Sequence, residues 1–204
     1  QDDFCMDGQR LVPTQGSKGG NGTQYTSSEQ SFTRVVSIGQ VSEGPEYWEV
    51  THKSGERIVY GQAAASVDKV EGSGAIVRWR ITDHYDRNGN RIQYTYLRQG
   101  NTGVLDAIDY AHFKIKLVFE ERSDEQLSYL AGVQAQLNKR VQKIQILRNN
   151  AVNYNYQFNY TTNNGFSRLA DVRWCAADST NSCAKPTLLS WADESGQDIV
   201  TDGS

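Results

Sequence analysis

The sequence predicts an all-β chain: antiparallel hairpins laid side by side in a strongly twisted extended sheet or open barrel, with one short helical loop. Three observations carry this. Residues 77–97 read VRWRITDHYDRNGNRIQYTYL. Val77, Trp79 and Ile81 alternate there with Arg78, Arg80 and Thr82, and Ile92, Tyr94 and Tyr96 alternate with Arg91, Gln93 and Thr95. Such period-two alternation puts each apolar set on one face of a strand. Between the two runs stands Asn88-Gly89, a pair that tolerates the positive φ angles of a type I′ turn. Finally, 11 Tyr, 4 Trp and 18 Gly against 3 Pro and 1 Met favour strands joined by glycine turns.

The remaining elements follow in order. Gln9-Arg10-Leu11-Val12 is a short strand, and Gly16 to Gly22 a mobile glycine loop. A phosphate-cradling loop needs Gly-Lys-Ser/Thr opening a helix, whereas Lys18 is followed by Gly19-Gly20-Asn21 and then a strand. Ser31 to Ile38 is a strand, Gly44-Pro45 a turn, and Glu46–Val50 with Arg57–Gly61 a second hairpin around Lys53-Ser54-Gly55-Glu56. Ala63 to Gly74 is a small-residue link. Phe113, Ile115, Leu117 and Phe119 alternate with Lys114 and Lys116 in a further strand. Residues 123–140 carry the helical flavour, because Leu127, Leu130, Ala131 and Leu137 have loose three-to-four spacing. Gly132 makes a short helix or ordered loop the expectation there. Residues 141–147 and 152–160 form the cleanest strand pair, with Val152, Tyr154, Tyr156, Phe158 and Tyr160 alternating with Asn153, Asn155, Gln157 and Asn159. A Leu188–Trp191 strand and a frayed polar tail after Glu194 close the chain.

A weak internal repeat runs through the second half. The pattern apolar-x-x-apolar-x-apolar occurs at Leu105/Ile108/Tyr110, at Val141/Ile144/Ile146 and at Leu169/Val172/Trp174. Repeated units that bury their faces by stacking mark an extended array; any antiparallel sheet can also give such matches by chance.

Composition narrows the function classes. The 204 residues carry a formal net charge of −3, so no global basic field attracts nucleic acid. No apolar run approaches the roughly 18 residues needed to span a bilayer as a helix. The chain begins at Gln1 with neither an initiating Met nor a signal peptide, and reads as a processed product or an excised fragment.

Several pieces, in order, resemble the N-terminal region of the SpvB-type proteins, which include the B subunits of bacterial toxin complexes and relatives carrying Rhs/YD repeats. They are Cys5-Met-Asp-Gly-Gln-Arg-Leu-Val12, Gly44-Pro45 ahead of Tyr47-Trp48-Glu49-Val50, and Gly55 before Tyr60-Gly61. Next come Trp79-Arg-Ile-Thr-Asp83, Gly89-Asn90-Arg-Ile-Gln-Tyr94-Thr-Tyr96 and Phe119-Glu-Glu-Arg122-Ser-Asp124. Arg168-Leu169 and Cys175 to Cys183 ahead of Trp191 complete the set. His84-Tyr85-Asp86 departs from the pattern as an apparent insertion before the turn. The resemblance implies a segment of a much larger secreted polypeptide, whose strands build the wall of a hollow shell around a toxic cargo. It implies an N-terminal β-hairpin segment at 1–75, a YD/Rhs-like hairpin segment at 76–194 within one continuous β domain, and a polar tail at 195–204. Its partners would be further Rhs-type strands, a propeller domain and an effector, with no membrane insertion by this segment. The ADP-ribosyltransferase activity of one family member lies in a separate C-terminal domain and is not inherited here. A wall needs a continuous sheet, so the first and last strands should be edges awaiting partners; covered edges count against that picture.

The residues themselves offer little chemistry. His52, His84 and His112 lack the close spacing of zinc ligands, and no metal or cofactor is expected. Asp83, Asp86, Asn88, Gly89 and Asn90 do not match the calcium-loop spacing and read as turn chemistry. Nucleophilic catalysis lacks a Gly-x-Ser-x-Gly elbow. Asp106/Asp109 and Glu120/Glu121 are the pairs a glycoside hydrolase would need, but adjacent Glu120 and Glu121 point to opposite faces of a strand; the expectation is no enzyme. Cys175 and Cys183 enclose a short polar loop, and a bridge there in an oxidising compartment would stabilise by about 2.5 kcal/mol. Cys5 is then a buried or unpaired thiol. Tyr154, Tyr156 and Tyr160 could stack on sugars, which keeps an independent extracellular adhesin or lectin-like module as the alternative; their alternation with Asn and Gln favours a packed sheet face.

Overall fold

The computed structural model describes residues 3–27, 33–42, 44–130, 133–177 and 182–191. The strands of the first half are β1 (Cys5–Met6), β2 (Gln9–Gln15), β3 (Gln24–Ser27), β4 (Arg34–Ile38), β5 (Tyr47–Thr51), β6 (Arg57–Tyr60), β7 (Val67–Lys69) and β8 (Ile76–Trp79). The second half adds β9 (Ile81–Tyr85), β10 (Arg91–Gln99), β11 (Thr102–Tyr110), β12 (Phe113–Leu130), β13 (Val133–Arg148), β14 (Ala151–Asn163), β15 (Phe166–Ala176) and β16 (Thr187–Leu188). A 14-stranded antiparallel sheet runs in chain order from β1 to β16, omitting β7 and β8, which pair with each other as a two-stranded ribbon. The sheet is open. Its helical content is one turn of 3₁₀ helix at Ala64–Ser66.

Four expectations are corrected. The run from Val77 to Ile81 is two strands rather than one, because β8 pairs with β7 while β9 pairs with β6 and β10. The β9–β10 turn spans residues 86–90: Asp86 N donates to Asn90 O at 3.0 Å and Gly89 N to Asp86 O at 3.1 Å. Gly89 has φ +83° but Asn88 is not left-handed, so the turn is not type I′, which needs positive φ at both central positions. His84, Tyr85 and Asp86 are thus the end of β9 and the start of this longer turn. Residues 123–130 and 133–140 are strand, the distal half of the β12–β13 hairpin; Ala131 and Gly132 lie outside the described residues. The Gly16–Gly22 loop is pinned rather than mobile: Thr23 Oγ1 donates to Ser17 O at 2.6 Å, Gly19 N to Tyr25 Oη at 2.7 Å and Ser37 Oγ to Gly20 O at 2.6 Å. The polar tail from 192 onward and residues 28–32 lie outside the described residues.

From β9 onward a bulge recurs on every second strand. Val59 pairs with Asp83 and Tyr60 with Ile81, leaving Thr82 as an extra residue on β9. The same step leaves Asp106 on β11, between Thr95↔Ala107 and Tyr96↔Leu105. It leaves Gln142 on β13, between Val118↔Lys143 and Phe119↔Val141, and Ala170 on β15, between Asn159↔Asp171 and Tyr160↔Leu169. The x-x of the sequence repeat is therefore the bulge: one residue too many restores the apolar side chains to the same face. An aromatic stands opposite the first apolar residue in each unit: Tyr60, Tyr96, Phe119 and Tyr160. Where it is tyrosine it can reach back one unit. Tyr96 Oη donates to Ile81 O at 2.7 Å and Tyr160 Oη to Val141 O at 2.6 Å.

The buried apolar core sits in the first half, where Leu11, Tyr25, Val35, Trp48 and Val50 cluster against Phe4, Met6, Ile58, Tyr60 and Trp79. The excursion between β6 and β9 is fastened to the sheet by charge. Asp68, 3% exposed, accepts from Arg80 Nη1 at 2.8 Å and Nη2 at 2.7 Å, from Thr102 Oγ1 at 3.3 Å and from Gly103 N at 3.1 Å. Gly103 lets the backbones close, since a Cβ there would lie 1.9 Å from Ala65 O. Burial alone would raise the Asp68 carboxyl, but the hydrogen bonds and charge of Arg80, with Gly103 and Thr102, outweigh it and hold it below its ordinary value.

Two outcomes follow. Tyr160→Phe lowers stability by about 1 kcal/mol, the net worth of one hydrogen bond, and Phe119→Tyr, which supplies the missing hydroxyl opposite Val141, raises it by a similar amount; urea denaturation reads both. Asp68→Ala strands the Arg80 charge and costs about 3–5 kcal/mol. Because the folded carboxyl is depressed, its contribution is complete above the unfolded value near pH 4 and is lost as pH falls through the folded value. An acid titration of wild type against Asp68→Ala should converge only at low pH.

Candidate functional site

The β12–β13 hairpin carries a second, larger irregularity. Glu121 pairs with Lys139 and Gln126 with Leu137, so Arg122, Ser123, Asp124 and Glu125 face Asn138 alone. This wide bulge turns Arg122 and Asp124 toward the tip of the next hairpin. Arg122 Nε and Nη2 donate to the two Asp124 oxygens at 3.0 and 2.7 Å. Ser167 N donates to Asp124 Oδ2 at 2.6 Å, and Ser167 Oγ makes a short hydrogen bond to Asp124 Oδ1. Arg140 donates to Ser167 Oγ at 2.6 Å and to Glu120 Oε1 at 2.6 Å, and lies over the Tyr160 ring at 4.2 Å. The hydrogen bonds from Arg122 and then Ser167 hold the Asp124 carboxyl far below the usual range. Burial pushes the Tyr160 phenol up, against the opposing charge of Arg140. The arrangement locks the bulge of one hairpin to the tip of the next and leaves no free nucleophile in the group. Polar, unevenly spaced bulge residues interrupt the period-two signal, which is why this stretch reads as helical in sequence.

The β12–β15 hairpins present one apolar and one polar face. Across the strands Tyr94, Ile108, Ile115, Ile146 and Tyr154 lie in one register row, and Leu117, Ile144, Tyr156 and Trp174 in the next. No residue of these rows is buried: Tyr156 is 39% exposed and Trp174 43%, with Tyr110 at 50% and Phe113 at 46% beside them. Tyr154 meets Tyr156 edge-on at 6.0 Å and tilts against Trp174 at 6.2 Å. Of the three candidate stacking tyrosines, Tyr154 and Tyr156 therefore share an open aromatic platform, while Tyr160 is bound at its hydroxyl and covered by Arg140. The opposite face carries Lys116–Asp106 at 2.5 Å and Lys114–Asp109 at 3.1 Å.

Cys175 and Cys183 are bonded, S–S 1.99 Å, and Cys5 is a free, exposed thiol. The disulfide anchors a cover over the outer edge of β15. Ala176 N donates to Ser182 O at 2.9 Å, Ala184 N to Trp174 O at 2.8 Å and Leu189 N to Ala170 O at 2.8 Å; Val172 and Asp171 pair with Thr187 and Leu188 of β16. Trp191 Nε1 donates to Leu169 O at 2.7 Å. β16 (Thr187–Leu188) takes the last place in the sheet, beside β15.

The other candidates are spread apart. Asp83 pairs with Arg91, whose Nε donates to Oδ1 at 2.6 Å. In the turn, Asp86 accepts from Asn88 N and Asn90 N, each at 2.8 Å, and from Asn90 Nδ2 at 2.6 Å; its oxygens are filled by donors, with Gly89 supplying the left-handed residue. Glu120 and Glu121 engage Arg140 and Lys139 separately. Among the described residues no three of His, Cys, Asp and Glu converge as a metal site. The clamp was missed in sequence; the hint was the run Arg122-Ser-Asp124, whose partner Ser167 lies 43 residues on.

Fold and surface together define a bulged, open β-sheet segment that fixes its own hairpins and leaves an apolar face uncovered. The chain matches the family described as Salmonella virulence plasmid 65kDa B protein over residues 15–168, more than half of its length, and it belongs to that family. The solved N-terminal domain of effector protein SpvB from Salmonella typhimurium strain LT2 is similar at TM-score 0.71 and 15% identity, covering 83% of this chain and 79% of that one. A TcdB2-TccC3-Cdc42 structure matches at TM-score 0.74 and 12% identity, covering 92% of this chain and 13% of that one. The Photorhabdus luminescens Tc holotoxin pore matches at TM-score 0.65 and 14% identity, covering 82% and 12%. These likenesses are of fold, and the chain spans about an eighth of the toxin chains. No curated protein matches it.

Replacing Cys175 and Cys183 together by Ser removes about 2.5 kcal/mol by loop entropy. Hydrogen exchange at the amides of Ala184 and Leu189 should accelerate first, ahead of the β13–β14 ladder.

Proposed function

We propose that the chain is a non-catalytic structural segment of a secreted bacterial toxin-complex or Rhs-type protein, forming part of a β-sheet shell that encloses or presents a toxic effector. The observation that carries this reading is the uncovered apolar face of β10–β15. Contiguous exposed apolar surface marks a contact site, and none of the described residues covers it. Family membership, the repeated bulged hairpins and the fold's place as a small part of much longer toxin chains support the reading.

A second reading rests on the Tyr154–Tyr156–Trp174 platform, an aromatic surface suited to stacking on sugar rings, and makes the chain an independent extracellular carbohydrate- or protein-binding module.

The test is the native mass and negative-stain image of the particle that contains this chain at its source, with hydroxyl-radical footprinting of Tyr156 and Trp174. A hollow particle in which both side chains are protected is the expected outcome. A free species of the chain's own 22.9 kDa, with both fully labelled, overturns the shell reading; saturable quenching by glycans would then support the second.

A further inference from the structure

Three Asn-Gly pairs stand in the chain: Asn21-Gly22, Asn88-Gly89 and Asn164-Gly165. Such a pair can modify itself. The backbone nitrogen of the glycine attacks the side-chain amide carbon of the asparagine, and a glycine has no side chain to obstruct the approach. The fold treats the three pairs differently. Gly22 N donates to Ser37 O at 2.8 Å and Asn21 Oδ1 accepts from Gly39 N at 2.8 Å, so both reacting groups are held. Gly89 N donates to Asp86 O at 3.1 Å, so its nitrogen is engaged. Asn164 and Gly165 are exposed, and among the described residues no hydrogen bond reaches the Gly165 nitrogen or the Asn164 side chain. Even a Cβ added at Gly165 would meet nothing within 4 Å.

Turn geometry favours the same pair. Asn164 and Gly165 are the whole loop of the β14–β15 hairpin, closed by the pair Asn163↔Phe166. Their φ angles are +50° and +80°, which is the type I′ turn. Flipping the peptide between them converts type I′ to type II′, the other two-residue hairpin turn, without moving either strand. The flip carries the Asn164 ψ to about −120°. There the Gly165 nitrogen lies on the side of the Asn164 side chain, and a five-membered ring closes. Glycine at the second position accepts the accompanying change in the sign of φ. Asn149-Asn150 is an internal comparison. It forms the same left-handed pair between Arg148 and Ala151, with φ +50° and +64°, but Asn150 carries a side chain beside the attacking nitrogen.

We propose that Asn164 modifies itself in the folded chain, passing through a cyclic imide to aspartate and isoaspartate, and that the isoaspartyl form releases the clamp between Asp124 and Ser167. The bond from Gly165 N to Asn164 Cγ forms as the Cγ–Nδ2 bond breaks, and ammonia leaves with the glycine amide proton. Water then opens the imide at either carbonyl. Opening at the main-chain carbonyl leaves the backbone running through the former side chain. No oxidant or reductant takes part. That path lengthens a two-residue loop by one methylene and adds a negative charge. Thr162 and Ser167 are the next pair along the hairpin, and Ser167 holds Asp124 through both N and Oγ. Loop length fixes hairpin register, so Ser167 moves with the change. The site is one hairpin tip and stands whether or not the shell reading does.

The experiment incubates the full chain in mildly alkaline buffer, folded and in urea, and follows each Asn-containing peptide by mass spectrometry for replacement of NH2 by OH. In the folded chain Asn164 should convert at least about fivefold faster than Asn21 or Asn88, the margin that one hydrogen bond supplies, and faster than Asn149. In urea Asn21 and Asn88 should catch up with Asn164, because their glycine nitrogens are then free, while Asn149 stays slow. A protein-isoaspartate methyltransferase labels the isoaspartyl product. That fraction, isolated by ion exchange, should exchange its Ser167 amide faster than fresh protein does. Asn164→Gly, which keeps a pair suited to the turn, should keep Ser167 protected through the same incubation. Conversion of Asn164 no faster than Asn21 or Asn88 in the folded chain, absence of isoaspartate at the tip, or an isoaspartyl fraction whose Ser167 exchanges like fresh protein would each overturn the proposal. These three readings use the wild-type chain, so they decide even where Asn164→Gly fails to fold.

Discussion

The bulge on every second strand is the constraint on which the rest of the sheet depends. A strand has a side-chain period of two, so one extra residue would normally send every following apolar side chain to the wrong face. Here the extra residues Thr82, Asp106, Gln142 and Ala170 each compensate a matching break in the apolar pattern. The same step recurs at similar places, so the local increase in twist that a bulge brings accumulates in one sense. A long sheet with such a line of bulges curls instead of lying flat. Such a curl suits the wall segment proposed above.

Tyrosine hydroxyls tie successive units across this line. Tyr96 reaches the carbonyl of Ile81, and Tyr160 that of Val141. Each bond joins a strand to the unit before it, over and above the ladder. Two ionic fasteners act at longer range: Asp68 with Arg80 binds the β7–β8 ribbon to the sheet, and Asp124 with Arg122 and Ser167 binds the bulge of one hairpin to the tip of the next. Both place a depressed carboxylate where several donors converge. The second half of the sheet is therefore held in shape by polar contacts, while its apolar face stays exposed.

Much of this was legible in the sequence. The all-β class, the hairpin pairs and the open sheet follow from alternation and turn residues, because those signals are local. The repeat of Leu105, Val141 and Leu169 was visible too, though its meaning as a bulge was not. Its first copy, at Ile81, was hidden because His84 stands where the pattern has an apolar residue. Register is a property of two strands, and a single strand's pattern cannot reveal which residue goes unpaired. The clamp shows the same limit more strongly. Arg122 and Asp124 broke the alternation, the loose spacing of Leu127, Leu130, Ala131 and Leu137 suggested a helix, and the partner Ser167 is remote in the chain. The split of Val77–Ile81 into two strands depends on Arg80 turning inward to Asp68, another distant pairing. Cys175 and Cys183, close in sequence around a polar loop, were legible as a pair; the edge they fasten down was not.

Trp191 gives the architecture a further consequence. Its indole N–H bonds the carbonyl of Leu169, the position that Tyr96 and Tyr160 occupy toward Ile81 and Val141. A different residue, arriving from an irregular segment, thus ends the series with the bond that otherwise continues it. An array with such interchangeable links can lengthen or shorten by whole hairpins without rebuilding its ends. Gene duplication or deletion would then change the circumference of the curled sheet in discrete steps, and lineages could settle on enclosures of different size using one local rule.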